Sequence, residues 1–232
     1  NSTYMISAGF FDQESNFVGN FGDWRRSCIN GSGSADQIAE ELMSQARLVI
    51  LASGGGSIAQ AIIDAVSDNE LDAQIVGLIC DREGAQVLDR ARGAGIKQFL
   101  IPMKTDRKLW DLEIINTLGA LKPDLVVSAG FMKILSSECV NRFRIVNSHP
   151  ALLPLFPGAH AVRDALAAGV KETGTTIHWV DAGIDTGQVI AQESVEITAG
   201  DTEVSLHERI KIVERRLFVA TLQSLLADQV RS

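Results

Sequence analysis

From Leu48 onward, short apolar runs alternate with amphipathic stretches, and no other feature constrains the fold of this chain so tightly. Residues 48–52, 74–80, 98–101, 124–128 and 144–147 read as strands; 57–66, 84–94, 107–121 and 161–168 read as helices. The helix that opens near Arg107 must stop before Pro123, because a residue preceding proline is pushed out of the α region. Residues 175–180 and 189–195 look like a strand pair, and Leu206, Ile210, Val213 and Leu217 mark one apolar face of a long terminal helix. Such alternation predicts an α/β fold: a mainly parallel, Rossmann-like sheet with helices on both faces, in a single domain. The hydrophobic share of 46% is ample for that core.

Residues 1–46 stand apart as an arm to which the sequence assigns no function. Residues 1–33 are rich in Phe, Gly, Asn and Ser, lack periodicity, and close on Asn30, Gly31, Ser32 and Gly33. Residues 36–47 read as a short helix with Ile38, Leu42 and Met43 as its apolar positions. Phe10, Phe11, Phe17, Phe21 and Trp24 are too many aromatics for a solvated linker. The chain opens on Asn without a cationic and apolar signal pattern, so a trimmed start is expected. A formal net charge of −8 argues against a nucleic-acid binder, and no apolar run is long enough to span a membrane. Cys28, Cys80 and Cys139 are scattered without metal-ligand spacing, so no metal is expected. Cys80 and Cys139 read as small core residues of a reduced, cytoplasmic protein.

Three stretches could carry chemistry. The run Asn147-Ser148-His149-Pro150 follows an apolar strand, and in extended backbone Asn147 and His149 face one side together. An amide and an imidazole so placed can act on a carbonyl, the amide holding a developing oxyanion and the imidazole moving a proton. Alone, the pair also fits a turn Asn and a backbone-satisfied His. Ser53-Gly54-Gly55-Gly56-Ser57 joins the first strand of the alternation to its helix, where free N–H groups and glycine backbone suit a phosphate. The same stretch fits a degenerate dinucleotide fingerprint, with Asp81 available to a ribose hydroxyl. Asp181 reads as a turn cap and His178 as a strand-face residue, whereas Asp185, before Thr186 and Gly187, reads as a carboxylate held beside the sheet.

The glycine loop, Ala129-Gly130-Phe131-Met132-Lys133-Ile134-Leu135, Asn147-x-His149-Pro150-x-Leu152-Leu153-Pro154, and Ile184-Asp185-x-Gly187 occur in the order seen in phosphoribosylglycinamide formyltransferases, which this chain resembles from about Leu48 onward. The resemblance implies formyl transfer from 10-formyltetrahydrofolate, a co-substrate, to the amine of glycinamide ribonucleotide in purine synthesis, with residues 47–232 as the catalytic domain. It implies catalytic roles for Asn147, His149 and Asp185. It implies contacts to the ribonucleotide and its phosphate from Gly55, Gly56, Ser57, Ile58, Lys211 and Glu214. The folate is expected on Arg107, Met132, Lys133, Ile134, Leu135 and Asn147. Partners are then small molecules, with no nucleic acid and no membrane, and a homodimer is left open. Ile58 and Lys133 depart from the family, which usually has Asn and Arg there, and the i,i+3 spacing of Lys211 and Glu214 also permits a plain surface ion pair. Other formyl-folate enzymes, the methionyl-tRNA formyltransferases and formyltetrahydrofolate hydrolases, are the alternatives within this class. A non-catalytic dinucleotide-binding module is the alternative outside it.

Overall fold

The computed structural model describes residues 4–6, 9–11, 45–103 and 105–229. Strands β1 (Tyr4–Ile6) and β2 (Gly9–Phe11) pair antiparallel as a small sheet of their own. The helix expected over 36–47 lies outside the described residues except at its end, and there it is corrected. Ala46 and Arg47 open a strand, β3 (Ala46–Ala52), because Ala46 pairs with Ala73 and the Arg47 N–H donates to the Asp124 carboxylate at 2.7 Å.

The main sheet holds seven strands: β3, β4 (Ala73–Cys80), β5 (Gln98–Leu100), β6 (Leu125–Ser128), β7 (Ile145–His149), β8 (Glu172–Trp179) and β9 (Val189–Glu196). Their spatial order is β5-β4-β3-β6-β7-β8-β9, with β3 to β7 parallel and β8 and β9 added antiparallel. The chain steps outward from β3 to β5, then returns beyond β3 to lay down β6 and β7. That reversal opens a crevice at the carboxyl ends of β3 and β6, where open α/β sheets hold ligands.

The central strands are covered on both faces, which explains why β3 reads as a continuous apolar run. Leu48, Ile50 and Ala52 pack on one face with Ile58 and Ile62 of helix α1 (Ser57–Ser67) and with Phe218 and Leu222 of the terminal helix. Val49 and Leu51 pack on the other with Trp110, Ile114 and Leu118 of α3 (Arg107–Leu121) and Cys139 of α4 (Ser137–Arg142). Helix α2 (Gln86–Gly93) adds Val87 and Ala91 to the first face. Asp106 caps α3 by accepting from the N–H groups of Lys108 and Leu109, and Lys122 ends it in the left-handed region just before Pro123. Both described cysteines are buried free thiols, and burial pushes Cys139 up to about 12.

Helix α5 (Ala161–Ala167) and helix α6 (Glu203–Gln229) complete the fold. The buried stripe of α6 differs from the expected one. Leu206 and Ile210 are in it, but Val213 and Leu217 flank it, and the buried positions continue at Glu214, Phe218, Leu222 and Leu226. A four-residue step winds slowly around a helix of 3.6 residues per turn. The start of α6 therefore packs on Val162 of α5 and Val195 of β9, and its end joins the main core.

Candidate active site

Strand β7 runs on through His149, two residues further than the apolar run suggests. Cross-strand register aligns Leu51, Ser128, Asn147 and His178 in one row across β3, β6, β7 and β8. Asn147 and His149 thus emerge on the same face at the carboxyl end of the sheet, beside the loops that follow β3 and β6. Opposite Asn147 lies His178 and opposite His149 lies Thr176, so four polar residues share that face.

Asp185 joins them from the loop after β8, held in the left-handed region at φ 54°. One carboxylate oxygen accepts from the Gly158 N–H at 2.8 Å and lies 3.3 Å from His149 Nδ1. His149 Nε2 lies 2.8 Å from the Phe156 carbonyl. A carbonyl and a carboxylate can only accept, so both contacts are satisfied together when the His149 ring carries two protons. His178 is the converse case. Its Nδ1 faces the Trp179 carbonyl at 2.9 Å, which leaves Nε2 bare in the neutral ring to accept from Asn147 Nδ2 at 3.2 Å. Burial is the main cause that lowers its pKa, keeping the ring neutral. The Asp185 oxygen at 3.6 Å from His178 Nε2 is then beyond hydrogen-bond reach. His178 lies on β8 as a strand-face residue, as read, and it stands next to Asn147, a neighbour the sequence reading did not give it. The signal was the antiparallel pairing that sets it opposite Asn147.

The turn after His149 is held from β8 and β9. The fully buried Thr176 hydroxyl donates to the Ala151 carbonyl at 2.6 Å and accepts from the Leu153 N–H, while Gln192 donates to both Thr176 and the Leu153 carbonyl. Asp181 caps its own turn as expected, accepting from Gly183 N–H and the Thr186 hydroxyl.

At the end of β3 the glycine loop turns into α1. Gly56 sits at φ 71°, and a Cβ there would come within 2.4 Å of the Val87 side chain, so only glycine fits. It precedes α1 with no side-chain cap and no acidic residue in the first turn, so no capping side chain takes the N–H groups at Ser57 and Ile58. Ile58 turns its side chain into the core, so only its backbone can serve. The first turns of α2 close on the outside of the loop: Val87 N–H bonds the Gly54 carbonyl, and Arg90 Nε donates to the Gly55 carbonyl. Asp81 has its side chain 1% exposed and faces Lys133, so it is not the open carboxylate that the dinucleotide reading requires.

The stretch after β6 is fastened to this loop. Buried Ser53 donates its N–H to the Gly130 carbonyl, and its hydroxyl accepts from Met132 N–H at 2.8 Å. Arg107 opens α3, pairs with Asp111 at 2.8 Å, and donates to the Ile134 carbonyl. Met132 and Ile134 are 64% and 58% exposed beside the stacked rings of Trp110 and Phe131. That apolar surface fits a flat aromatic ligand. Lys133 turns inward to Asp81 at 3.6 Å, and Leu135 packs against the α3 side of the core. Lys211 and Glu214 do not pair with each other. Lys211 bonds Glu208 at 2.7 Å, and Glu214 is buried behind β7, next to the Ser148 side chain. Burial holds the Glu214 carboxyl above the usual carboxylate range, and the neighbouring Ser148 hydroxyl opposes that.

Among the described residues no group of three or more His, Cys, Asp or Glu is arranged to hold a metal ion, and no helix is long and apolar enough to cross a membrane. Residues 46–222 match the formyl transferase family. The chain is 48% identical over 184 residues to the phosphoribosylglycinamide formyltransferase of Mycobacterium tuberculosis (strain CDC 1551 / Oshkosh), covering 78% of this chain and 85% of that one. Its fold is similar to the crystal structure of glycinamide ribonucleotide transformylase 1 from Symbiobacterium toebii, with a TM-score of 0.77 at 36% identity over 79% of this chain and 89% of that one. It is also similar to the phosphoribosylglycinamide formyltransferase of Bacillus halodurans, with a TM-score of 0.74 at 42% identity over 78% and 95%.

Proposed function

The chain belongs to the formyl transferase family, and from that membership we propose that it transfers a formyl group from 10-formyltetrahydrofolate to the amine of glycinamide ribonucleotide. The observation that carries this reading is the His149–Asp185 pair beside Asn147, at the mouth shared with the glycine loop. A binding module has no use for that set.

The substrate amine attacks the formyl carbon of the formyl folate, and the bond from that carbon to the folate nitrogen breaks as this nitrogen takes up the proton that the amine gives. The flat ring system of the folate would lie along Met132, Lys133, Ile134 and Leu135, with Arg107 at the entrance and Asn147 inside. Gly55, Gly56, Ser57 and the Ile58 N–H would take the ribonucleotide phosphate, and Glu214, with Lys211, the rest of that substrate. Asn147 keeps one amide hydrogen beyond the one given to His178, and that hydrogen can meet the negative charge growing on the formyl oxygen. His149 Nε2 is held by the Phe156 carbonyl in the free protein; turned to the substrate, it supplies a second donor and a route for the proton leaving the amine. Asp185, 3.3 Å from Nδ1, keeps the imidazole oriented for that task, as Gly158 in turn orients Asp185.

On this reading residues 47–232 form the catalytic domain, the protein works in the cytoplasm on small molecules, and neither metal nor nucleic acid takes part. The direct test mixes the protein with both substrates and follows the folate absorbance. Transfer is the expected result; none at saturating concentrations overturns the assignment.

A further inference from the structure

We infer that Asp81 is a specificity-determining residue: by holding the charge of Lys133, it makes the donor side of the site indifferent to how many carboxylates the donor's tail carries. This rests on the proposed reaction. Asp81 ends β4, and its carboxylate is buried at 1% exposure. One oxygen lies 3.6 Å from Lys133 Nζ, and the other is buried without a hydrogen-bond partner. Among the described residues the ammonium is the only ion-pair partner of this carboxylate.

Lys133 sits between Met132 and Ile134, both exposed toward the ligand side, yet it turns inward over the end of β3 to reach Asp81. The backbone on either side of it is tied down, at Met132 by Ser53 and at Ile134 by Arg107. An anionic tail in solvent offers Lys133 only the weak attraction of an exposed ion pair. Leaving Asp81 would strand a buried carboxylate, which is much the larger penalty. Lys133 therefore stays committed. Arg107 differs, because its partner Asp111 lies on the same helix surface and the arginine is 44% exposed, so that pair can yield to one ligand carboxylate. Of the two cations expected on the folate, Arg107 is thus exchangeable and Lys133 is not.

The test compares monoglutamyl and polyglutamyl folate. Binding is read by protein fluorescence, and KM by the 10-formyl forms, at low and high salt. In the unaltered protein the two tails should bind within about two-fold of each other. Asp81→Asn keeps the shape and frees Lys133, so polyglutamyl folate should gain about five-fold over monoglutamyl at low salt, and lose it at high salt. The double variant Asp81→Asn with Lys133→Met should return to the unaltered ratio, which a purely structural role for the pair would not predict. A salt-sensitive preference for the long tail in the unaltered protein overturns the inference. So does an Asp81→Asn protein that melts cooperatively and keeps the original ratio. Folate binding with this pattern but without formyl transfer would overturn the reaction alone, whereas no folate binding at all overturns both.

Discussion

Two histidines flank one carboxylate, and the groups around them give the two rings different hydrogen-bond partners. His149 points both nitrogens at acceptors, whereas His178 keeps one bare for Asn147. Replacing His149 with Ala, or Asp185 with Asn, should lower kcat by about 10²- to 10⁴-fold while KM for both substrates stays near its original value. Steady-state kinetics decide it, since equal losses in binding and turnover would remove these residues from the chemistry. His178 links pH to stability. Its folded pKa lies below the ordinary imidazole value of about 6.5, so the unfolded chain takes the proton first. The stability this ring contributes is complete above about pH 6.5 and is lost as pH falls below that value. Melting temperature should drop over that window in the parent protein and drop less in His178→Gln. Parallel curves would mean that the ring does not carry the effect.

At the scale of elements, α6 and the turn into α1 each combine packing with a site. The buried stripe of α6 runs Leu206, Ile210, Glu214, Phe218, Leu222, so a carboxylate stands where a core residue belongs, at the seam between two apolar clusters. Burial raises the Glu214 pKa, and the sign follows from that. The folded protein holds this proton at a pH where the unfolded chain has released it, so the contribution is full below about 4.5 and is lost as pH rises through the folded value. Glu214→Gln should therefore stabilise the protein near neutrality, by an amount that vanishes in acid, while raising KM for the nucleotide by about ten-fold. A variant no more stable at neutral pH than in acid would show that the carboxylate is compensated in the fold. The glycine turn separates two effects. Gly56→Ala forces both a left-handed alanine and a clash with Val87, and should lower stability by about 2–4 kcal/mol in a denaturant melt. Ser57→Ala leaves the backbone alone and should raise KM for the nucleotide by about five-fold without moving KM for the formyl folate. A matching rise for the folate would place the loop elsewhere in the chemistry.

Over the whole molecule, the sheet from β3 to β9 and its helices already supply every residue given a role, and none of those roles falls on residues 1–44. Removing these residues should leave measurable formyl transfer and alter stability or assembly, read by calorimetry and gel filtration. A shortened protein that folds and binds both substrates yet transfers nothing would give the arm a part in catalysis. The fold class was legible because alternation is a local property: each strand and helix announces its burial by its own period, and α3 ends where Pro123 requires. The shared face of Asn147 and His149 was legible, since residues two apart in a strand point the same way whatever lies around them, whereas a catalytic role for Asp185 entered only through the family resemblance. What stayed hidden were relations between segments distant in sequence. The sequence contains His178, Glu214 and Asp81 but not their neighbours. Register across β7 and β8 put His178 opposite Asn147, the slant of the α6 stripe buried Glu214 behind β7, and the crossover at β3 brought Lys133 to Asp81. Periodicity determines which face of an element is apolar; only the assembled sheet decides what that face meets, because strand order and register are set by packing many segments at once.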